Sequence, residues 1–295
     1  MKPTMKLAKF GVAWFFWIST LCAQDPPARL PEVAVPGARD YLHEEVLIGP
    51  YKQPEWTQQR RFPTTRVYLQ KEPWEMGFEQ WWRGRFFRDG TAGHLFQEEL
   101  EVGLPHRFQA DLYENWVMND HGRARHHDVA TELRWAPADW GRIPLNPTLY
   151  GEWKFVDKTQ GPDVYEIKLL LGEELAPRWH WGLNLVYEQE TGGSRTTEWA
   201  WSQAVSYSLR DQRLSAGLEM KFSHETEAGS RHEPEIKFLV GPSLQWRPTL
   251  RTHLDLVPLF GTTSDAPRVE AFVVFGFDFS APSPRGSAPA SLRGQ

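Results

Sequence analysis

Cysteine is almost missing from this 295-residue sequence; the single one, Cys22, lies within the first 23 residues. A chain cleaved after that stretch has no disulfide, thiolate metal site or thiol nucleophile. Long apolar runs are missing too. Beyond the N-terminal stretch no run reaches 18 residues, which excludes membrane-spanning helices from the remainder. Positive charge is scarce, with 33 Lys and Arg against 38 Asp and Glu, a net charge of −5. Removing Lys2, Lys6 and Lys9 and no acids takes it to −8. That deficit argues against nucleic acid as a partner, because binding needs cations to neutralise phosphates. There is no Gly-rich phosphate loop and no His-Glu-x-x-His pattern, so neither enzyme activity nor a cofactor or metal is expected.

What the chain does have is aromatics and alternation. Aromatic residues make up 14% and include 15 Trp, although mean hydropathy is only −0.54. Trp and Tyr gather at bilayer interfaces, where an apolar ring and a polar edge are both satisfied. From Pro73 to Phe279, twelve segments alternate polar and apolar residues. They fall near 73–84, 94–104, 106–118, 127–137, 146–156, 163–173, 178–189, 197–209, 212–223, 234–247, 251–261 and 267–279. Each has about the 9–11 residues that a transmembrane strand needs. Short connections such as Leu104–His106, Glu174–Pro177 and Arg210–Asp211 alternate with longer loops rich in charge, Gly or His. This predicts an all-β, antiparallel up-and-down transmembrane barrel of about 12 strands, with short turns on the periplasmic rim and long loops outside.

Four regions follow. Residues 1–23 read as a signal peptide, with a basic start, an apolar Phe10–Leu21 and the small residue Ala23 before the cut. Residues 24–65, rich in Pro and without a sustained period, read as an irregular periplasmic segment. Residues 66–279 form the barrel, with Val67–Leu69 as a lead-in. Residues 280–295, dominated by Ser, Ala, Pro and Gly, read as a disordered tail.

Alternation assigns the two faces. Tyr165, Ile167, Leu169 and Leu171 belong to one row, and Leu183, Leu185 and Tyr187 to another; these should face lipid. The opposite rows carry Glu75, Glu79, Arg83, Glu99, Glu101, Asp111, Glu132, Arg134, Glu152, Lys154, Glu166, Lys168, Glu219, Lys221, Glu235, Lys237, Asp255 and Glu270. A Lys or Arg facing hydrocarbon at midplane costs about 2–4 kcal/mol, so the lumen is the place for these charges. A soluble barrel would put its apolar row inside instead. Twelve acids against six bases favour cations along any polar pathway, and cross-strand ion pairs are expected.

The last strand, with Val273, Phe275, Phe277 and Phe279 at alternate positions, resembles the C-terminal assembly signal of bacterial outer-membrane barrels. That likeness implies the barrel-assembly machinery and the outer-membrane bilayer as partners. The stretch Glu99–Leu112, an acidic strand, a tight turn and a second amphipathic strand, resembles the transporter barrels of the MetA-pathway phenol-degradation type. It implies a channel or transporter for small polar or aromatic solutes, the alternative being a non-conducting scaffold. Leu30–Val35 resembles the TonB box of energised outer-membrane transporters, an extended strand that pairs with a periplasmic partner. Those transporters carry a plug domain, for which no residues are apparent here.

Remaining candidates are His94, His121, His126, His127, His224 and His232, which fall in or beside predicted outer loops where imidazoles can take a divalent metal or simply be solvated. Ser202, Ser206 and His180 have no local motif that would make them a hydrolytic site.

Overall fold

The computed structural model describes residues 42–119 and 122–279. The expected signal segment, Leu30–Val35, His121 and the tail lie outside the described residues. Two short strands come first, β1 (Leu47–Ile48) and β2 (Gln53–Pro54), paired as a small antiparallel sheet. Twelve long strands follow: β3 (Met76–Phe86), β4 (Ala92–Leu104), β5 (Phe108–Asn119), β6 (Arg125–Trp135), β7 (Thr148–Val156) and β8 (Val164–Ala176). The second half comprises β9 (Trp179–Glu190), β10 (Thr197–Arg210), β11 (Leu214–Thr226), β12 (Glu235–Thr249), β13 (Thr252–Gly261) and β14 (Val269–Asp278). Each pairs antiparallel with its sequence neighbours, and β14 pairs with β3, closing a barrel. All twelve expected segments are strands, displaced at their ends by a few residues at most.

Closure removes the free sheet edge, and the register decides which residues face in. In the β14–β3 seam Glu270 lies opposite Arg85, Phe272 opposite Arg83 and Gly276 opposite Glu79. The ladder is interrupted by bulges at the ends of some strands and at Asn115–Trp116. Between β12 and β13 it breaks mid-strand instead: pairing runs to Val240↔Phe260 and resumes at Leu244↔Leu256.

The short-turn rim is tied by arginine. Arg107 in the β4–β5 turn donates from Nε to the Ala136 carbonyl at 3.0 Å, Arg178 from Nη1 to Ser208 at 3.0 Å and Arg213 from Nη1 to Pro248 at 2.8 Å. Each guanidinium reaches the next hairpin along the rim, where turn carbonyls have no ladder partner.

The segment before β3 departs from expectation. It is largely irregular, as its prolines suggested, with two short 3-10 turns at His43–Glu45 and Glu55–Gln58. It does not lie clear of the strands. Most residues from Trp56 to Lys71 are buried against inward-facing side chains of the barrel. Val67–Leu69 is irregular chain within it, not a strand. A plug is therefore present, built from residues 42–72, of which 42–65 were expected as a periplasmic segment and 66–72 as the start of the barrel.

Candidate functional site

The outer surface carries an apolar belt. Leu133, Ile167, Leu185, Leu218, Leu244 and Leu256 point away from the lumen and are exposed, Ile167 by 55%. Aromatic rows flank the belt. At the long-loop end Trp153 stacks on Tyr165 and Tyr187 packs against Trp199; at the short-turn end Phe108 stacks on Trp135 and Trp179 packs on Tyr207. On β10, Trp199 and Tyr207 are eight residues apart, roughly 27 Å of strand at about 3.3–3.4 Å per residue. With a strand tilt near 35–45° that is about 20 Å of height, close to the ~25 Å band of a barrel in lipid. The assembly-signal residues Val273, Phe275, Phe277 and Phe279 lie on this outer face, Phe275 and Phe279 being exposed.

Apart from Glu75, which lies before β3, and Glu235, which is exposed at the start of β12, the charged rows are buried or half-buried inside the barrel. In the lower half of the lumen, toward the short turns, their partners come from the plug. Arg60 places Nε 2.5 Å from Glu79 and Nη2 3.0 Å from Glu99 and 3.5 Å from Glu101, with its guanidinium 4.6 Å above the Trp81 ring. Arg66 reaches Glu99 at 2.8 Å and Glu132 at 3.7 Å, and donates to the Tyr113 hydroxyl at 2.7 Å. Lys71 meets Asp278 at 2.5 Å and Glu101 at 3.0 Å. Burial opposes the charge on Lys71, yet Asp278 and Glu101 hold its pKa above the usual lysine value. Arg134, from β6, pairs with Asp111 at 2.5 Å and with Glu132, and donates to Gln70 of the plug at 2.7 Å.

Neutral contacts fix the plug's path. The Arg66 backbone N–H donates to Asn184 Oδ1 at 2.8 Å, and Asn184 Nδ2 returns a bond to the Arg66 carbonyl at 2.7 Å. The backbone N–H groups of Gln70 and Lys71 both donate to Gln109 Oε1. Thr64 donates from its N–H and hydroxyl to Glu219. His253 meets Asp255 at 2.5 Å and Glu79 at 3.4 Å. Glycine makes room on the wall: a Cβ at Gly103 would lie 1.9 Å from the Glu72 carbonyl oxygen, and one at Gly172 would lie 2.2 Å from Val67 Cγ1.

Apolar packing seats the other end. Tyr51, Trp56, Phe62, Val67, Tyr68 and Leu69 of the plug form one cluster with Ala136, Trp140 and Ala204 of the wall. Trp56 stacks on His180 at 4.5 Å and donates to Glu174 at 2.9 Å. An aromatic side chain removes about 150–250 Å² from water; at about 25 cal/mol per Å² each outweighs an exposed ion pair of about 0–1 kcal/mol. The plug's first residues are pinned to the rim: Arg61 meets Glu44 at 2.8 Å, Ser208 donates to Glu44, and the His43 N–H donates to Asp211 at 2.7 Å. Burial disfavours ionised Glu44, but Arg61 and Ser208 hold its pKa below the ordinary 4.5.

Above the plug is a vestibule of about 570 Å³, lined toward the long loops and floored by Arg60, Pro63, Thr64 and Arg66. Ion pairs occur here both between strands, at Lys154–Glu188, Lys237–Glu225 and the Glu270 pairs, and along one strand at i and i+2. Lys154 lies between Glu152 (3.5 Å) and Glu188 (2.5 Å), Lys168 meets Glu166 at 2.6 Å, and Lys237 reaches Glu225 and Glu235. Glu270 is shared by Lys221 at 2.6 Å and Arg85 at 2.7 Å. Arg83 lines the same space without an ion pair within 4.0 Å among the described residues. Arg60, Arg66, Lys71 and Arg85 reduce the 12-to-6 excess of acid on the strands without cancelling it, and Glu188, Glu198 and Glu225 also line the vestibule.

The described histidines do not converge. His127 meets Asp128 at 2.6 Å, His126 packs edge-on against Trp116 and His94 stacks on Trp82. Glu79, Glu99 and Glu101 do converge, with one oxygen of each within 4.8 Å of the others, and Arg60 takes the place of a cation between them. Ser202 accepts from Thr65, and His180 stacks against Trp56.

No family model and no curated protein matches the chain. Among solved structures it is similar to the COG4313 outer membrane channel from Pseudomonas putida F1, at 8% identity over 71% of this chain and 97% of that one, with a TM-score of 0.55. It also matches the NanC porin, at 12% identity over 70% of this chain and all of that one, with a TM-score of 0.48. At these identities the likeness is one of fold: a closed antiparallel barrel of twelve strands.

Proposed function

We propose that the protein is an outer-membrane channel for small polar or aromatic solutes, held shut on the periplasmic side by its own residues 42–72. The apolar belt with aromatic rows at both heights supports a bilayer setting, and the basic-then-apolar start of the chain supports export. The fold likeness to an outer-membrane channel agrees with both. The observation that carries the reading is the vestibule: a charged cavity open at one end and floored by Arg60 and Arg66 at the other. A barrel built only as an anchor has no use for such a space. In this reading the short turns face the periplasm, Val273, Phe275, Phe277 and Phe279 engage the assembly machinery, and Leu30–Val35 is the candidate docking strand for a periplasmic partner.

Planar-bilayer recording tests it. The wild type should rest closed with rare openings, and Arg60→Ala with Arg66→Ala should open frequently. A second reading, a non-conducting scaffold, is favoured by the depth of the seal, from the Glu44 anchor to the Arg66 network. Silence of both proteins at all voltages would establish that reading. Recovery of the protein in the soluble periplasmic fraction would overturn the membrane assignment itself.

A further inference from the structure

We infer that the wall between β12 and β13 is a lateral passage through which a small apolar solute moves between the lumen and the bilayer. This deepens the channel reading above and rests on it.

The argument begins with two prolines. The pairs Val240↔Phe260 and Leu244↔Leu256 bring Pro242 opposite Pro258, and no pairing is made from Gly241 to Ser243. Neither proline has an N–H, so the two ladder bonds that would join them cannot form. The other sides are intact, with Leu218 opposite Pro242 and Ala271 opposite Pro258. The defect belongs to one seam. Proline in sheets is confined to edges and strand starts, and a closed barrel has no edge. Pro242 and Pro258 are the only prolines in the interiors of the twelve barrel strands. In hydrocarbon an unpaired carbonyl is costly, so two facing prolines weaken the wall where strength is most valuable.

The lining changes character at the same place. Behind the seam Leu239, Val257, Leu259, Phe272 and Val274 form a buried apolar cluster with Trp81 and Ala266. Leu239 and Phe272 also line the vestibule. Gly241 lets the two backbones approach closely without a hydrogen bond, since a Cβ there would lie 1.9 Å from the Pro258 carbonyl oxygen. Outside, Leu244, Leu256 and Phe260 are exposed in the apolar belt. A solute crossing here meets apolar groups on both sides and must itself be uncharged and largely apolar. The plug bars the straight route below Arg60 and Arg66, and the incompletely hydrogen-bonded seam borders the vestibule at Leu239, where the lining turns apolar.

The test restores the ladder. Pro242→Val with Pro258→Val supplies both N–H groups; each single change supplies one and serves if the double variant fails to fold. Folding is read from heat-dependent gel mobility. Uptake of the apolar dye N-phenylnaphthylamine is followed in Gram-negative cells expressing the full chain. Wild-type cells should take up dye faster than barrel-free cells, and that gain should be lost in the folded valine variants while Pro248→Ala, at the strand end, keeps it. Wild-type uptake in a folded valine variant overturns the passage. So does wild-type uptake no faster than in barrel-free cells when the Arg60→Ala, Arg66→Ala protein conducts ions, and there the channel reading survives. No dye gain and no conductance in any variant overturns both.

Discussion

The Arg60 guanidinium lies 4.6 Å above the indole of Trp81, and the same group places Nε 2.5 Å from Glu79, two residues earlier on that strand. Plug and wall thus share one cation across an apolar and an ionic contact, and removing either partner exposes the other.

Removing a plug cation should unseat the plug. Breaking a buried pair by deleting one partner costs about 3–5 kcal/mol, because the surviving charge stays desolvated. Arg66→Ala leaves Glu99 with Arg60 as its one cation and removes the donor to the Tyr113 hydroxyl, which still donates to Glu132. We expect the strands to persist by circular dichroism while protease cuts residues 56–72 faster than in the wild type.

The same release should follow without touching charge. Gly103→Val sets a side chain against the Glu72 carbonyl, and Gly172→Val sets one against Val67. Both should raise the open fraction in planar bilayers. Gly151→Val, where an added Cβ meets nothing within 4 Å, should leave it unchanged.

Face assignment predicts an asymmetry on β8. Leu169→Arg puts charge on the outer row and should destabilise the barrel in vesicles by about 2–4 kcal/mol near midplane. Glu166→Gln, on the inner row and paired with Lys168 at 2.6 Å, should cost less. Equal urea midpoints for the two variants would mean that the faces are reversed.

Acid should loosen the rim anchor. The Glu44 carboxyl has a folded pKa below its ordinary 4.5, so its contribution is present above that value and is lost as pH falls through the lower folded value. Proteolysis within residues 42–60 should therefore accelerate below about pH 4 in the wild type. Glu44→Gln should be cut readily at every pH, with the acid-dependent rise gone.

Alternation alone made the barrel legible. Ile167 and Glu166 sit on opposite faces because the strand period is two, and the lipid outside inverts the usual apolar interior. The same logic put Glu79, Glu99, Glu101, Asp111, Glu132 and Arg134 on rows that are buried, but not Glu75, which precedes β3, or Glu235, which is exposed. The plug was harder to read, since an irregular chain has no period and its prolines mark only an absence of helix. A signal did exist in the charges. Twelve acids against six bases on the inner rows leave carboxylates that a low-dielectric lumen cannot keep unpaired, and Arg60, Arg61, Arg66 and Lys71 stand just before the first barrel strand. The facing prolines were also visible as residues, but their opposition depends on a register that only the folded sheet supplies. The Leu30–Val35 stretch lies outside the described residues, and its docking role stays a proposal.

The contact between Lys71 and Asp278 spans 207 residues of chain. One partner stands just before the first barrel strand and the other ends the last, so they meet only when β14 reaches β3. Seating of the plug and sealing of the cylinder are therefore one cooperative event. In the channel reading, a barrel caught before that meeting is leaky as well as incomplete, because the contact that closes the cylinder also latches its stopper.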